Sequence, residues 1–70
     1  MTTGEIVRRA RERKGLSQSQ LAKLSGISQP AICNIEADRV SPKMDTMLTI
    51  MWVLDYDIVF KPTYKAGYYE

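Results

Sequence analysis

The sequence predicts an all-α fold: four short helices around a small core, followed by one β-strand. Three observations predict it. Residues 17–36 carry two successive helix start signals on either side of Gly26. Apolar residues between Met44 and Leu54 recur with helical spacing. After Leu54 the apolar period drops to two. With 70 residues and a 44% hydrophobic fraction, the chain is expected to form one domain, residues 1–70, of a size that often gains stability from a partner.

The first helix is expected over about residues 3–14. Thr2 and Glu5 have the spacing of a capping box, and Gly15 suits the left-handed position beyond the helix end. Thr3, Val7 and Ala10 form its expected inward stripe. The second helix has stronger signals. Ser17 and Gln20 form Ser-x-x-Gln, and Leu16 and Leu21 take the two positions of a hydrophobic staple. Leu21, Ala22 and Leu24 supply its apolar contacts. Ser25-Gly26-Ile27 makes a tight turn, in which only glycine reaches positive φ without steric cost.

The third helix repeats the device. Ser28 is the expected N-cap, Ile27 and Ile32 form a second staple, and Pro30 falls in the first turn, where a missing N–H is harmless. At about 100° per residue, Ile32 and Ile35 point to one side and Gln29, Pro30, Cys33 and Asn34 to the other. Two carboxamides on an outward helix face suit the reading of base edges. The helix-turn-helix unit 17–36 can place that face in the major groove of DNA.

A loop over residues 37–43 contains Arg39, Ser41, Pro42 and Lys43. The fourth helix is expected from Met44 to Leu54, with Met44, Met47, Leu48, Met51 and Leu54 as its core stripe. Ile50 and Trp52 broaden the apolar surface beyond what packing on a small bundle requires, and methionine suits an adaptable interface. Tyr56, Ile58 and Phe60 then alternate with Asp57, Val59 and Lys61, which reads as a strand ending at Pro62. A lone strand needs a partner. Residues 63–69 are one candidate, and a second copy of the chain, paired antiparallel across a two-fold axis, is the favoured one. Met51, Trp52, Tyr56, Ile58 and Phe60 are therefore the expected dimer or partner surface, with 56–70 as the dimerisation element.

The net charge of +2 is unevenly divided. Residues 1–43 hold eight Lys or Arg against four acids, a net +4. Residues 44–70 hold two basic residues against four acids, a net −2. The positive part carries the helix-turn-helix pattern, which favours a polyanion partner. Catalytic chemistry is poorly supplied. There is no histidine for a triad or a metal site, one cysteine cannot build a zinc centre, and Gly4, Gly15, Gly26 and Gly67 are too scattered for a phosphate loop. Asp55 and Asp57 read as solvated charge. Neither a catalytic residue, a metal nor a cofactor is expected. The single Cys33 and the lack of an apolar leader or spanning segment favour a cytoplasmic protein with no membrane partner.

The segment GLSQSQLAKLSGISQPAICNIEADRVSPKMDTMLTI closely resembles the lambda repressor and Cro-type (XRE-like) helix-turn-helix family. The resemblance covers about residues 4–54. Gly15-Leu16-Ser17-Gln18, Leu21-Ala22, Gly26-Ile27-Ser28, Ile32, Ile35-Glu36 and Ser41-Pro42 all fall in register. It implies a lambda repressor-like fold of a bacterial or phage-encoded regulator. By the same resemblance, Gln18 and Ser28 touch DNA phosphates, Gln29, Pro30 and Asn34 face base edges, and Arg39 and Lys43 lie near the DNA backbone. Arg11 and Glu36 match an internal ion pair. Pro30 departs from the polar or long side chain common at its position, which shifts reading toward DNA shape. The strand-like Tyr56–Pro62 replaces the usual fifth helix and resembles the Hip-type antitoxins, whose dimers share strands and bind a kinase toxin. The expected function is a homodimeric, sequence-specific repressor of a palindromic double-stranded operator, acting as the antitoxin of a toxin-antitoxin operon. The alternatives are a standalone or prophage regulator, or a protein-interaction module with secondary DNA binding.

Overall fold

The computed structural model describes residues 1–62. Four helices follow one another: α1 (Thr3–Arg13), α2 (Gln18–Ser25), α3 (Gln29–Glu36) and α4 (Met44–Val53). The helix α1 packs on α3 and α4, while α2 packs on α3 and α4. This is the expected all-α arrangement of four helices.

The chain enters α1–α3 through side-chain caps. Thr2 Oγ1 accepts from the Glu5 N–H at 3.1 Å, and its hydroxyl meets the Glu5 carboxylate at 3.4 Å. Ser17 completes a full capping box: its Oγ accepts from the Gln20 N–H at 3.0 Å, and the Ser17 N–H donates to Gln20 Oε1 at 2.8 Å. Ser28 accepts from the Ala31 N–H at 3.3 Å. Each such cap contributes about 1 kcal/mol by satisfying an orphan donor.

Three helix ends use one device. After α1, Gly15 (φ +76°) lets its own N–H donate to Glu12 and that of Leu16 donate to Arg11. After α3, Asp38 (φ +58°) and Arg39 donate to Ile35 and Asn34. After α4, Asp55 (φ +69°) and Tyr56 donate to Trp52 and Met51. Each is a Schellman pair that satisfies terminal carbonyls. Two aspartates thus occupy the left-handed position that glycine takes after α1.

Val7, Leu21, Ile32 and Ile50 are completely buried, one from each helix, and Ala10, Ile35, Met51 and Leu54 complete the core. Burying each large aliphatic side chain contributes roughly 1.5–3 kcal/mol. Several expected core positions differ. On α1, Thr3 is exposed and Gly4 takes the inward place. A Cβ on Gly4 would lie 2.4 Å from the Glu36 carbonyl oxygen and 2.6 Å from that of Ile35, so only glycine permits α1 to approach the end of α3 this closely. Leu24 is exposed, because the α2 surface that meets α3 and α4 is centred on Leu21.

The buried stripe of α4 matches the expected one at Met47, Met51 and Leu54, with Met47 only partly covered, but Ile50 completes it, while Met44 and Leu48 are exposed. Met51 is therefore a core residue and not part of a surface available to a partner. Among the described residues, 57–62 form no helix or strand and pair in no ladder. Tyr56 and Ile58 are half-buried and pack against the core cluster. The candidate internal strand partner at 63–69 lies outside the described residues. No described helix is long and apolar enough to cross a membrane.

Candidate nucleic-acid interface

Two short helices joined through Gly26 (φ +73°) set the geometry of the site. The Gly26 N–H closes α2 on the Ala22 carbonyl, and Ile27 and Ser28 lead directly into α3. Burial of Ile32 and Ile35 fixes the rotation of α3 about its axis. The opposite face then carries Gln29 and Pro30, both exposed, with Cys33 and Asn34 half-buried one turn further on. These are the residues that the sequence places on one face, and the structure brings them together.

Two side-chain contacts on this face are not evident from the sequence. Ser19 of α2 and Gln29 of α3 meet at 3.2 Å between Oγ and Oε1, so Gln29 is braced by the preceding helix. Arg39 Nη1 donates to Asn34 Oδ1 at 3.1 Å and lies 4.0 Å from Cys33 Sγ. The only advance signal for the second contact is that Arg39 follows a helix end and can fold back. Ser28 and Lys43 are exposed at the start of α3 and of α4.

Gln18 has a second attachment. Its Nε2 donates to Glu36 Oε1 at 3.1 Å, which leaves the residue half-buried and its amide engaged with the protein. Glu36 is the junction of three elements. Arg11 Nε and Nη2 donate to its two carboxylate oxygens at 2.6 and 2.8 Å, and Arg11 Nη1 donates to the Leu16 carbonyl at 2.8 Å. The side chains are 12% and 4% exposed. The expected Arg11–Glu36 pair is thus bidentate and largely buried, and it ties α1 and the α1–α2 connection to the end of α3.

Burial pushes the Glu36 carboxyl upward, but hydrogen bonds from Arg11 and Gln18 and the charges of Arg11 and Arg8 outweigh it. The net result lies below the usual carboxylate range. Hydrogen bonding to Glu36 raises Arg11, against the opposing effect of burial. The Thr2 side chain and the Gly4 N–H lower Asp38, whose Oδ1 accepts from that N–H at 2.9 Å. Among the described residues no cluster of His, Cys, Asp or Glu could hold a metal ion.

A second surface lies on the exposed side of α4. Two adjoining clefts of about 600 and 480 Å³ share Trp52, Tyr56 and Asp57; Leu24 lines the first, and Leu48 and Ile58 line the second. Trp52, Val59 and Phe60 are each 73% exposed. Tyr56 is held from the other side, its hydroxyl accepting from Arg13 at 3.2 Å. Of the residues expected on a partner surface, Trp52 and Phe60 are free, Tyr56 and Ile58 are half-available, and Met51 is inside.

A capped α2, a glycine turn, and an α3 with its polar face turned outward make up a helix-turn-helix domain. Comparison with known proteins agrees: residues 7–60 match the helix-turn-helix family, and the chain belongs to it. It is 40% identical over 42 residues to an uncharacterized HTH-type transcriptional regulator of Haemophilus influenzae, covering 60% of this chain and 43% of that protein. It is 38% identical over 53 residues to the HTH-type transcriptional regulator PuuR of Escherichia coli, covering 76% and 29%. It is 34% identical over 56 residues to the putative HTH-type transcriptional regulatory protein MJ1164 of Methanocaldococcus jannaschii, covering 80% and 18%. The matches therefore span between 18% and 43% of the length of these relatives.

Proposed function

We propose that the protein is a sequence-specific repressor that binds a palindromic double-stranded operator as a homodimer, with one α3 in the major groove of each half-site. The observation that carries this reading is the outward face of α3: exposed Gln29 and Pro30 at its start, and Asn34 one turn on, opposite the buried Ile32 and Ile35. Gln29 reads a base edge, and Ser28 and Lys43 contact phosphates, with Gln18 adding its remaining amide hydrogen. The role is one of binding, without catalytic residue, metal or cofactor, in the cytoplasm. Exposed Leu48, Trp52 and Phe60 supply the apolar surface for the second copy.

Selection of duplexes from a random library by the purified protein tests the proposal. The expected product is a near-palindrome whose half-sites lie about 34 Å apart, one helical turn. Enrichment of single, unpaired half-sites would overturn the dimeric part, and no enrichment would overturn sequence-specific reading.

The extent of exposed apolar surface around Trp52 and Phe60 favours a second, compatible reading, in which the domain is the antitoxin of a toxin-antitoxin operon and the same surface helps to hold a kinase-type toxin. Co-purification with the product of an adjacent kinase-like gene, weakened by Trp52→Ala, is the expected result. An isolated gene would instead indicate a standalone or prophage regulator.

A further inference from the structure

We propose that Arg39 reads a guanine in the major groove, held in register by Asn34, instead of neutralising a phosphate beside the groove. The proposal rests on the DNA-binding reading above and assigns one base of the half-site.

The backbone first brings Arg39 to the reading face. Asp38 takes a left-handed conformation (φ +58°), so the chain folds back on α3 and the Arg39 N–H donates to the Asn34 carbonyl at 2.9 Å. The side chain then follows the same course. Its Nη1 donates to Asn34 Oδ1 at 3.1 Å and lies 4.0 Å from Cys33 Sγ. Cys33 and Asn34 are on the side of α3 that carries Gln29 and Pro30. The guanidinium is therefore folded over the face that enters the groove.

Hydrogen-bond chemistry then selects the base. A guanidinium has only donors, so Asn34 must meet it with its oxygen, and the Asn34 amide nitrogen is left to donate. Among the described residues Arg39 forms no ion pair, and only its Nη1 is engaged by a side chain. The pair thus presents an array of donors. Guanine offers two acceptors, N7 and O6, spaced for the arginine fork, whereas adenine offers one acceptor beside a donor that would face the array unpaired. Pro30 and Ala37 on the same side have no side-chain donor to compete for that edge.

The test is duplex selection and titration with the wild type, Arg39→Ala, Arg39→Lys, Asn34→Ala and the double Ala variant, each at several salt concentrations. Circular dichroism melting of each variant gives the folded fraction. The wild type is expected to enrich a half-site containing one guanine whose preference falls about 5–150-fold in Arg39→Ala. Arg39→Lys keeps the charge and the salt dependence but loses most of that preference, because an ammonium lacks the fork. Asn34→Ala weakens the same position, and the double variant loses no more there than Arg39→Ala alone. Uniform weakening of all sequences by Arg39→Ala, with an unchanged motif and a salt slope reduced by about one, would mark a phosphate contact and overturn the proposal. An enriched motif with no guanine dependent on Arg39 would overturn it while leaving the DNA-binding reading intact. A folded wild type that enriches no sequence would overturn both.

Discussion

Replacing Glu36 by Ala removes the group on which three elements converge. The variant loses two hydrogen bonds from Arg11 and one from Gln18, and it leaves the Arg11 guanidinium, 12% exposed, without its counter-charge. Removing one partner of a buried pair costs about 3–5 kcal/mol, because the remaining charge stays desolvated. A 70-residue domain has a total stability of about 3.5–10 kcal/mol at roughly 0.05–0.15 kcal/mol per residue, so the loss amounts to a large share of it. Urea unfolding followed by far-UV circular dichroism measures the change, and Glu36→Gln, which keeps the volume, separates charge from packing. The pH dependence supplies an independent check. The folded carboxyl titrates below its unfolded value of 4.5, so its contribution is complete above about pH 4.5 and is lost as pH falls through the lower folded value. Asp38 is displaced in the same direction, so the acid sensitivity of Glu36→Gln should be reduced but not abolished. A loss below about 1 kcal/mol, the size typical of an exposed pair, with an unchanged acid transition would refute the reasoning.

Other perturbations have separate causes. Gly4→Ala should destabilise the fold by about 1–3 kcal/mol, because its Cβ meets the backbone carbonyls of Glu36 and Ile35, which cannot move aside as a flexible side chain would; thermal unfolding measures this. Asp55→Gly relieves a left-handed conformation costing about 1 kcal/mol and gives up only an exposed ion pair with Lys14, so its melting temperature should be equal or higher. Trp52→Ser, at an exposed site, should leave the monomer's helical content unchanged and weaken self-association, as read by sedimentation at several concentrations; unchanged association would place the dimer surface elsewhere.

The parts legible in the sequence are those set by local chemistry. Ser17, Gln20 and Ser28 cap because their side chains reach nearby N–H groups, and Gly26 turns because it lacks a Cβ. The outward position of Gln29, Pro30 and Asn34 follows from the burial of Ile32 and Ile35. The inner face of α4 is less legible. Its sequence is apolar on several sides, so helical spacing admits both a stripe through Met44 and Leu48 and one through Met47 and Ile50. Contact with α2 and α1, which lie far away in sequence, selects the second, and Met51, placed by the sequence in both the core stripe and the partner surface, belongs to the core. Asp38 and Asp55 at left-handed positions are hidden for another reason: aspartate tolerates that conformation less readily than glycine and gives no comparable local signal.

The position of Gly4 links the fold to the candidate site. Hydrophobicity patterns overlook glycine, yet Gly4, Val7 and Ala10 form the inward stripe of α1. The absence of a side chain at Gly4 lets α1 contact the last turn of α3. At that approach Arg11 reaches Glu36, and the Gly4 N–H reaches Asp38. Asp38 in turn reverses the chain and returns Arg39 to the outward face of α3. The Arg11–Glu36 pair therefore acts on the C-terminal half of the helix, while the Ser28 cap orders its beginning. With both ends fixed by groups off the outward face, Gln29, Pro30 and Asn34 can be exchanged without disturbing the core, whereas Gly4, Arg11 and Glu36 cannot. Variation confined to the first three should change which DNA is selected; variation in the last three should change whether the domain is folded.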